Sequence, residues 1–392
     1  MRNPKGCWRM CTAAALALFC TLGLNINIFS VYIPYLKQLL ELSFNQSSGF
    51  LTVRNLFTLT AVYLAKFYYD KLDIRIGFSL SLLFCILGVY LYSTASSFLS
   101  LCIAAAVSGL SYGLGGMYPV AILIHRWFPY HEGLAMGICA ASSGLALTIG
   151  APIITSLIEN HSLAFAMRCQ MGFMLLCLAV CFFLIRNYPD GELHYTHRPK
   201  SVRHRIRLNL MFFAILAIGM LGGGFSYLTS HYTTEGFDPY QVSTIISILG
   251  LVLTGAKFLL GGLLDLWGTR TTNWLFLSLA ILSCILFSFG SSGGYSVALL
   301  GAIAFGIGDS VATVGIPVYA RDLSTPDRYA ATQQQYQTAS QLGGLICSLI
   351  PGFIATATGN YRLLYVILAL LMVFSTAVIQ STYAKKQGSR TR

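Results

Sequence analysis

Long apolar runs separated by short polar segments make up most of this chain. Because a bilayer core about 30 Å thick requires about 20 mostly apolar residues per helix, each run of that length predicts one membrane-spanning helix. Twelve such runs occur, at residues 10–36, 47–69, 75–94, 98–124, 132–158, 163–186, 208–231, 240–264, 272–290, 295–319, 328–357 and 362–383. The pattern therefore predicts an all-α membrane protein with twelve transmembrane helices, of which the fifth and eleventh are long enough to begin outside the bilayer.

Distinctive residues recur at a spacing close to half of the 392-residue chain. The separations grow slowly along the sequence, from 195 to 198, 199 and 200 residues, as expected after duplication of one unit followed by small insertions. The recurring pairs are Asp70 and Asp265, Pro119 and Pro317, Pro152 and Pro351, and Asn160 and Asn360. We therefore predict two six-helix halves related by a pseudo-two-fold axis along the membrane normal.

The longest polar segment between helices lies near the midpoint of the chain. It divides the sequence into an N-terminal half (1–186), a linker (187–207) and a C-terminal half (208–392). The linker contains three histidines that suggest a metal cluster, but a solvated basic loop beside lipid headgroups is the favoured interpretation. We predict no metal site and no cofactor. The histidines are His194, His197 and His204.

Composition and charge agree with a membrane protein. Hydrophobic residues make up 56% and charged residues 10% of the chain, against about 25% charged in soluble proteins, which excludes a soluble core. The net charge of +12 suggests either nucleic acid or an anionic membrane as a partner, and the position of the charge decides between them. Twenty of the 25 Lys and Arg residues lie in the loops on the side of the N-terminus, whereas only Lys37 and Arg362 lie in the opposite loops.

The positive-inside rule assigns the basic loops to the cytoplasm. We therefore predict that both termini and the linker are cytoplasmic, in a bacterial plasma or inner membrane, with lipids and no nucleic acid as partners. Residues 1–9 are basic, but the apolar run that follows has full helix length, so it is interpreted as the first helix and not as a cleaved signal. The eleven cysteines lie mainly in apolar runs without Cys-x-x-Cys spacing, which is typical of small buried hydrophobic residues.

The segment 253–270 contains the pattern Gly-x-Leu-x-Asp-x-x-Gly-x-Arg. A degenerate copy runs from Lys66 to Arg75 and contains Asp70. Glycines allow close helix approach, while the acid and the base pair with each other or with helix ends at the membrane surface. The pattern resembles the loop signature of the major facilitator superfamily, which implies a twelve-helix fold and alternating access. The residues of the C-terminal copy are Gly261, Asp265, Gly268 and Arg270.

A second resemblance lies in the fourth and fifth runs. Gly109 to Gly113 is followed by Tyr118, Pro119 and then Arg126-Trp-Phe-Pro. This order is similar to that of the monocarboxylate transporters and the oxalate/formate antiporter group. Arg126 is interpreted as a positive-inside anchor of a gating loop, and Tyr118 as a candidate substrate-binding residue.

Lys257 is the clearest candidate for substrate binding. A lysine at the centre of a transmembrane helix costs roughly 2.5 to 3.5 kcal/mol and usually faces a cavity. Asp265 lies eight residues later, or about 12 Å along a helix, which is too far for Lys257 to reach the membrane surface easily. The related families place a carboxylate-binding basic residue four positions before the first glycine of the signature, and this position is Lys257.

At two positions the sequence differs from these families, and the differences restrict the range of predicted substrates. Leu253 replaces the acid that monocarboxylate transporters place one turn before the basic residue. The eleventh run offers glutamines, including Gln337, where the oxalate exchanger has a second basic residue. A single carboxylate with a hydrogen-bonded remainder therefore fits better than a dicarboxylate, and Gln337 and Tyr227 complete the predicted contacts.

Four further polar residues lie within apolar runs. Asp309 has a predicted depth comparable with that of Lys257, and we expect the two to form a direct or water-bridged pair that makes Asp309 a proton-coupling site. Arg54 is either a substrate-binding or gating residue or a member of an interfacial structural pair. Asn25 is expected to face the cavity, whereas Arg168 lies near the outer end of the sixth helix and is expected to reach the membrane surface.

These observations predict a secondary transporter of small organic anions, monocarboxylates above all, driven by protons or by exchange. The alternative is proton-coupled efflux of a neutral or cationic drug-like molecule, in which Asp309 is the essential charge. No phosphate-binding motif for ATP-driven pumping occurs in the sequence, and no motif for membrane-embedded hydrolysis occurs either. We therefore expect a monomeric transporter and not an enzyme.

Overall fold

The computed structural model describes residues 6–128, 132–186, 209–325 and 328–390. Within this part of the chain, the regular elements are helices. The predicted linker, with its three histidines, lies outside the described residues. The side chains of Asp70 and Asp265, and the surroundings of Gly261, are likewise outside the description.

Twelve helices, α1 to α12, follow the order of the predicted runs in the described part of the chain. Two of them, α4 and α7, consist of two pieces each. The bounds are α1 Cys7–Leu39, α2 Phe44–Lys71, α3 Ile74–Ser93, α4 Phe98–Gly115 and Met117–Trp127, α5 Glu132–Asn160, α6 Leu163–Leu184, α7 Leu210–Phe225 and Leu228–Thr234, α8 Pro239–Leu264, α9 Leu266–Ser288, α10 Gly290–Leu323, α11 Tyr329–Thr358 and α12 Arg362–Arg390.

Ten helices in the described ranges are long and apolar enough to cross a membrane, and α7 is the eleventh if its two pieces form one span. The remaining helix, α2, has 28 residues and is long enough, but it is too polar to meet the same standard of hydropathy. Large apolar side chains cover the outside of the bundle, where Leu266 is 80% exposed and Phe183 is 71% exposed. Such a surface requires a lipid environment, so the chain is a multi-pass membrane protein.

Four helices are interrupted, and the interruptions repeat between the two halves. In α1 a π-helical segment occupies Phe19–Asn27, and α7 bends by 49° after Phe225. In α4 the helix breaks at Gly116, and α10 has a π-helical segment at Val311–Gly315. Each pair of interruptions is separated by about the same number of residues as the duplicated prolines, and such irregularities in helices are frequent at functional sites.

The two halves meet where helix backbones approach closely. A Cβ atom added to Gly144 of α5 would lie 2.5 Å from Oγ1 of Thr254 in α8, and one added to Gly250 of α8 would lie 2.4 Å from Cβ of Leu147. The halves also meet between α2 and α11, and between the ends of α1 and α7 that are opposite to the chain termini. We call this side of the bundle the distal end and the side of the termini the proximal end.

The turn between α8 and α9 depends on a glycine. Gly268 has a φ of 76° and a ψ of 154° and separates two helices that otherwise form one continuous helical run. This backbone conformation is unfavourable for residues with a Cβ atom. The corresponding turn of the N-terminal half has no glycine. There Asp73 caps α3 by accepting a hydrogen bond from the backbone nitrogen of Arg75 at 2.8 Å.

Candidate functional site

Lys257 is buried at the contact between the two halves. Its side chain is on α8 and the residue is only 2% exposed. Its Nζ donates a hydrogen bond of 2.9 Å to Oγ of Ser143 on α5. The ammonium of the C-terminal half is therefore held by a neutral hydroxyl of the N-terminal half.

Asp309 is the acid that lies near Lys257. It is the penultimate residue before the π-helical segment of α10, and its Oδ1 is buried without a hydrogen-bond partner. The two side chains interact electrostatically. The sequence predicts a direct or water-bridged pair. No direct hydrogen bond joins these two side chains, because Nζ of Lys257 is bonded to Ser143, and the water-bridged pair stays a prediction. Oδ1 of Asp309 instead faces α7, where a Cβ atom added to Gly222 would lie 3.7 Å away.

Arg54 on α2 is a second buried cation, with an exposure of 1%. Its Nη2 lies 3.4 Å from Oγ of Ser226, at the bend of α7, which is long for a hydrogen bond. Its Nε and Nη1 are buried without a partner. The guanidinium Cζ lies 5.4 Å from the centre of the Phe29 ring, close enough for a cation–π interaction.

Three tyrosines surround the guanidinium of Arg54. Tyr92, Tyr112 and Tyr227 all interact with it electrostatically, and Tyr112 also interacts with Asp309. The hydroxyl of Tyr92 is buried without a hydrogen-bond partner. The sequence prediction omitted Tyr92 and Tyr112 from the site. Tyrosines are common in apolar runs, and only the crossing of α2, α3 and α4 brings these two to Arg54.

Two predicted contacts are occupied by bonds between helices. Asn25, in the π-helical segment of α1, donates to the carbonyl of Ser108 at 3.1 Å and accepts from its hydroxyl at 2.9 Å. The hydroxyl of Tyr227 donates to the carbonyl of Ser348 in α11 at 3.1 Å. Both residues are almost completely buried. Their side chains therefore connect helices within their own halves in this conformation.

The remaining substrate-binding candidates are less enclosed. Gln337 is half-buried on α11. Tyr118, just after the break in α4, is 38% exposed, and its ring centre lies 6.3 Å from that of Tyr69. Arg168, which the sequence predicts to reach the membrane surface and not the substrate, is exposed on α6. Their greater exposure distinguishes these residues from the buried Lys257 and Arg54.

The signature residues lie at helix ends, as their positions in the sequence predict. Nε of Arg75 donates to the carbonyl of Phe182 in α6 at 2.6 Å, and its guanidinium lies 4.1 Å from the ring of the same residue. Gly268 forms the turn described above. Arg126 is half-buried at the end of α4, and Arg270 is exposed at the start of α9, where its carbonyl accepts from Gln380 at 3.0 Å.

A charged cluster closes the distal end of the C-terminal half. Glu235, just after α7, accepts a hydrogen bond of 2.7 Å from Nε of Arg362, and its carboxylate also binds the backbone and hydroxyl of Ser291. The bond to Arg362, more than any other contact, lowers the pKa of Glu235 to about 2. The described residues contain no group of three or more His, Cys, Asp or Glu side chains able to hold a metal ion.

Curated proteins similar to this chain include transporters of known class. The chain is 23% identical to monocarboxylate transporter 12 of Homo sapiens, over 98% of this chain and 82% of that protein. It is 21% identical to the protein of the same name from Rattus norvegicus, over 98% of this chain and 87% of that protein. An uncharacterized 38 kDa protein in a 23S RNA operon of Thermoproteus tenax is 24% identical over 64% of this chain and 63% of that protein.

Solved structures and family comparison agree on the fold. The crystal structure of a mutant of the nucleoside transporter NupG superposes with a TM-score of 0.73 at 11% identity, covering 94% of this chain and 98% of that one. At this identity the likeness shows the fold alone. The Major Facilitator Superfamily profile matches residues 15–346. The chain therefore belongs to the major facilitator superfamily of membrane transporters.

Proposed function

We propose that this transporter moves small organic anions, with monocarboxylates as the substrate class, by alternating access between its two halves. The observation that carries the proposal is the excess of positive charge among its buried ionisable groups. Within the described part of the membrane-spanning helices, Arg54 and Lys257 are two buried cations, and they face one carboxylate with a buried, unpaired oxygen, that of Asp309. Because an uncompensated charge is costly in a low-dielectric interior, this arrangement favours binding of one monovalent anion.

Lys257 supplies the carboxylate-binding cation in this proposal. Its ammonium has three donors and uses one of them on Ser143. A carboxylate bound beside Ser143 would contact both halves at once, which is the condition for a substrate that controls their relative movement. The names of the curated relatives and the family position of Lys257 support the same substrate class.

Asp309 supplies proton coupling. Its Oδ1 has no hydrogen-bond donor in the empty protein and lies in the electrostatic field of Lys257. A substrate carboxylate that approaches Lys257 would repel the carboxylate of Asp309 and favour its protonation. The proton would then travel with the anion. The same three charges, those of Arg54, Lys257 and Asp309, also allow a second transport mechanism, in which two anions are exchanged without movement of a proton.

Movement of the halves would occur about the closely packed pair of α5 and α8. The signature loops with Asp70, Arg75, Asp265 and Arg270, together with Arg126, would close the proximal end when the distal end opens. Residues 1–186 and 208–392 would be the moving units, joined by 187–207. We expect the protein to act as a monomer.

The proposed orientation places the proximal end in the cytoplasm of a bacterial cell, at the plasma or inner membrane. Cysteines introduced at Lys37 and at Lys200, in a background without reactive native cysteines, should react oppositely with a membrane-impermeant thiol reagent. Lys37 should be labelled from outside and Lys200 only after permeabilisation. Labelling of both from outside would exclude the proposed topology.

Transport itself is tested with the purified protein in liposomes. In one experiment, uptake of radiolabelled acetate, lactate or pyruvate is measured with an inward proton gradient. In a second, uptake of the same radiolabelled anions is measured in liposomes that have been preloaded with unlabelled anion. Proton-coupled transport requires the gradient, whereas exchange requires the preloaded anion. Protein-free liposomes correct for passive entry of the neutral acids, and absence of uptake under both conditions would refute the proposal.

Efflux of a neutral or cationic drug-like molecule is the second candidate. The unpartnered Oδ1 of Asp309 favours it, because a buried carboxylate attracts a cation. In that case uptake of cationic dyes into inverted vesicles should depend on Asp309 and remain after Lys257→Gln. Anion transport has the advantage that it accounts for both buried cations.

A further inference from the structure

The surroundings of Arg54 differ from those of a structural arginine. The residue is 1% exposed, yet Nε and Nη1 have no hydrogen-bond partner. Native proteins rarely leave buried polar atoms unpaired, and a specific exception requires an explanation such as a role in binding an ion. For a charged group the requirement is stronger, because a buried cation needs a counter-charge.

None of the interactions that Arg54 makes with the described residues supplies that counter-charge. Ser226, Phe29 and the three tyrosines around the guanidinium are neutral groups. Lys257 is different, since it has the carboxylate of Asp309 in its electrostatic surroundings. Arg54 is therefore the buried cation whose charge is not balanced.

The geometry leaves donors available to an incoming anion. A guanidinium offers five N–H donors in planar pairs that match the two oxygens of a carboxylate. In Arg54 the single bond to Ser226 is 3.4 Å long and goes to a neutral hydroxyl, so it is weak and easily displaced. Phe29, Tyr92, Tyr112 and Tyr227 are neutral neighbours of this guanidinium, so one monovalent anion would balance its charge.

We propose that Arg54 forms a second anion-binding subsite, which takes the carboxylate of the transported substrate or another small monovalent anion. The inference rests on the proposed function only if the ligand is the substrate carboxylate, and not if it is another anion. Arg54 precedes Asp70 by 16 residues, whereas Lys257 precedes Asp265 by eight, so Arg54 is about 12 Å nearer to the distal end. By depth along the helices, Arg54 therefore lies between the distal end and Lys257.

Contact with Ser226 connects this subsite to the distal closure. Ser226 lies in the bend of α7, in the half opposite to Arg54. Separation of the halves at the distal end breaks this contact and frees Nη2. An anion bound at Arg54 then takes the place of the serine hydroxyl, and departure of the anion toward Lys257 restores the contact.

Thermal unfolding of the purified full-length protein in detergent tests the subsite, because a ligand that binds the folded state raises its apparent stability. Sodium acetate, lactate and chloride are titrated separately at constant ionic strength, with sodium sulfate as the background salt. The variants are Arg54→Met, Arg54→Lys and Lys257→Gln. Arg168→Gln, an exposed arginine of another helix, is the matched control.

In the wild type we expect a saturable increase of Tm with at least one of the monovalent anions. Arg54→Met should weaken that binding at least tenfold, Arg54→Lys should retain part of it, and the control should behave as the wild type. Without added anion, Arg54→Met should be at least as stable as the wild type, because an unpaired buried charge has been replaced by an apolar side chain of similar length. A purely structural arginine would instead give a less stable protein with an unchanged anion effect.

The pattern of anions identifies the ligand. An Arg54-dependent effect of acetate and lactate alone assigns the subsite to the substrate carboxylate, whereas an effect of chloride alone assigns it to an inorganic anion. The inference is overturned if no anion stabilises the wild type, or if Arg54→Met binds anions as well as the wild type. Lactate uptake in liposomes that is retained by Arg54→Met but lost in Lys257→Gln would leave the proposed function intact in either case.

Discussion

Each half has a buried cation in an equivalent helix, but the surroundings of the two cations differ. In α8 the ammonium of Lys257 is bonded to a hydroxyl of the opposite half and lies near Asp309 of its own half. In α2 the guanidinium of Arg54 lies among aromatic rings without a carboxylate among its described contacts. The buried cation of the C-terminal half therefore has a carboxylate in its surroundings, and that of the N-terminal half has none among its described contacts. Equivalent helices in a repeated fold thus need not perform equivalent tasks.

The strongest test of this comparison is removal of the cation of the C-terminal half. Lys257→Gln should reduce monocarboxylate uptake about a hundredfold or more, because loss of one partner of a buried charge pair typically costs about 3 to 5 kcal/mol. Lys257→Arg should retain part of the activity. Uptake is measured in liposomes at equal protein content. Unchanged uptake by Lys257→Gln would contradict the proposed role of Lys257 and would favour the second candidate function, efflux of a cationic molecule that depends on Asp309.

A double-mutant cycle sharpens the contrast between the halves. Unfolding free energies of Lys257→Gln, Asp309→Asn and the double variant should give a coupling of about 1 to 3 kcal/mol, since each single variant leaves a buried charge uncompensated. The matched cycle of Arg54→Gln with Asp309→Asn should give a much smaller coupling, because Asp309 is not among the groups that interact electrostatically with Arg54. Equal couplings in the two cycles would mean that Asp309 serves both cations.

The distal cluster of the C-terminal half provides a third test. Glu235→Gln should destabilise the protein by about 1 to 3 kcal/mol, the range for loss of hydrogen bonds to a charged group. Because the folded pKa of Glu235 is about 2, below its usual value of 4.5, the contribution of its charge is fully present above about pH 4.5 and is lost as the pH falls toward 2. Tm measured between pH 3 and pH 7 should therefore converge for wild type and variant at low pH. A constant difference would assign the effect to packing.

The smallest effect should occur at the signature turn. Gly268→Ala should destabilise the C-terminal half by about 1 to 2 kcal/mol, because an alanine would adopt a backbone conformation with positive φ. Gly262→Ala, within α8 and with open space around its Cβ position, is the matched control and should be neutral or slightly stabilising. Chemical denaturation in detergent checks both variants. Equal effects would mean that Gly268 is selected for close packing and not for its φ.

Much of the fold was predictable because the bilayer imposes a simple length rule on apolar segments. That rule located the helices, and the repeat of Asp70 and Asp265 indicated the two-fold organisation. The interruptions in α1, α4, α7 and α10 were not predicted, since glycine and proline are common in transmembrane helices and only some of them break the helix. Its length identifies α2 as a helix in the sequence, although its polar residues keep it below the hydropathy of the ten clear membrane spans of the described residues.

The candidate site was predictable only as a set of unusual residues. A lysine and an arginine in apolar runs are conspicuous, so Lys257 and Arg54 could be selected from the sequence. Their partners could not be, because Ser143 and Ser226 are ordinary serines that become relevant only where helices from opposite halves meet. Of the expected direct or water-bridged pair of Lys257 and Asp309, the direct bond is not formed, because depth along a helix does not specify the direction of a side chain.

The polarity of α2 has a consequence for how the chain enters the membrane during synthesis. Besides Arg54, this helix carries amide and hydroxyl side chains that are paired with other helices, such as Asn55 with the carbonyl of Gly344 at 3.1 Å and Thr58 with that of Gly109 at 3.2 Å. An arginine at the centre of a helix costs about 2.5 to 3.5 kcal/mol during insertion by the translocon, and these pairing groups are synthesised later than α2 itself. The partners of these groups are thus supplied by helices that follow α2 in the chain, α4 and α11. The residue that best fits an anion subsite in the finished transporter is also one that makes insertion of its own helix costly.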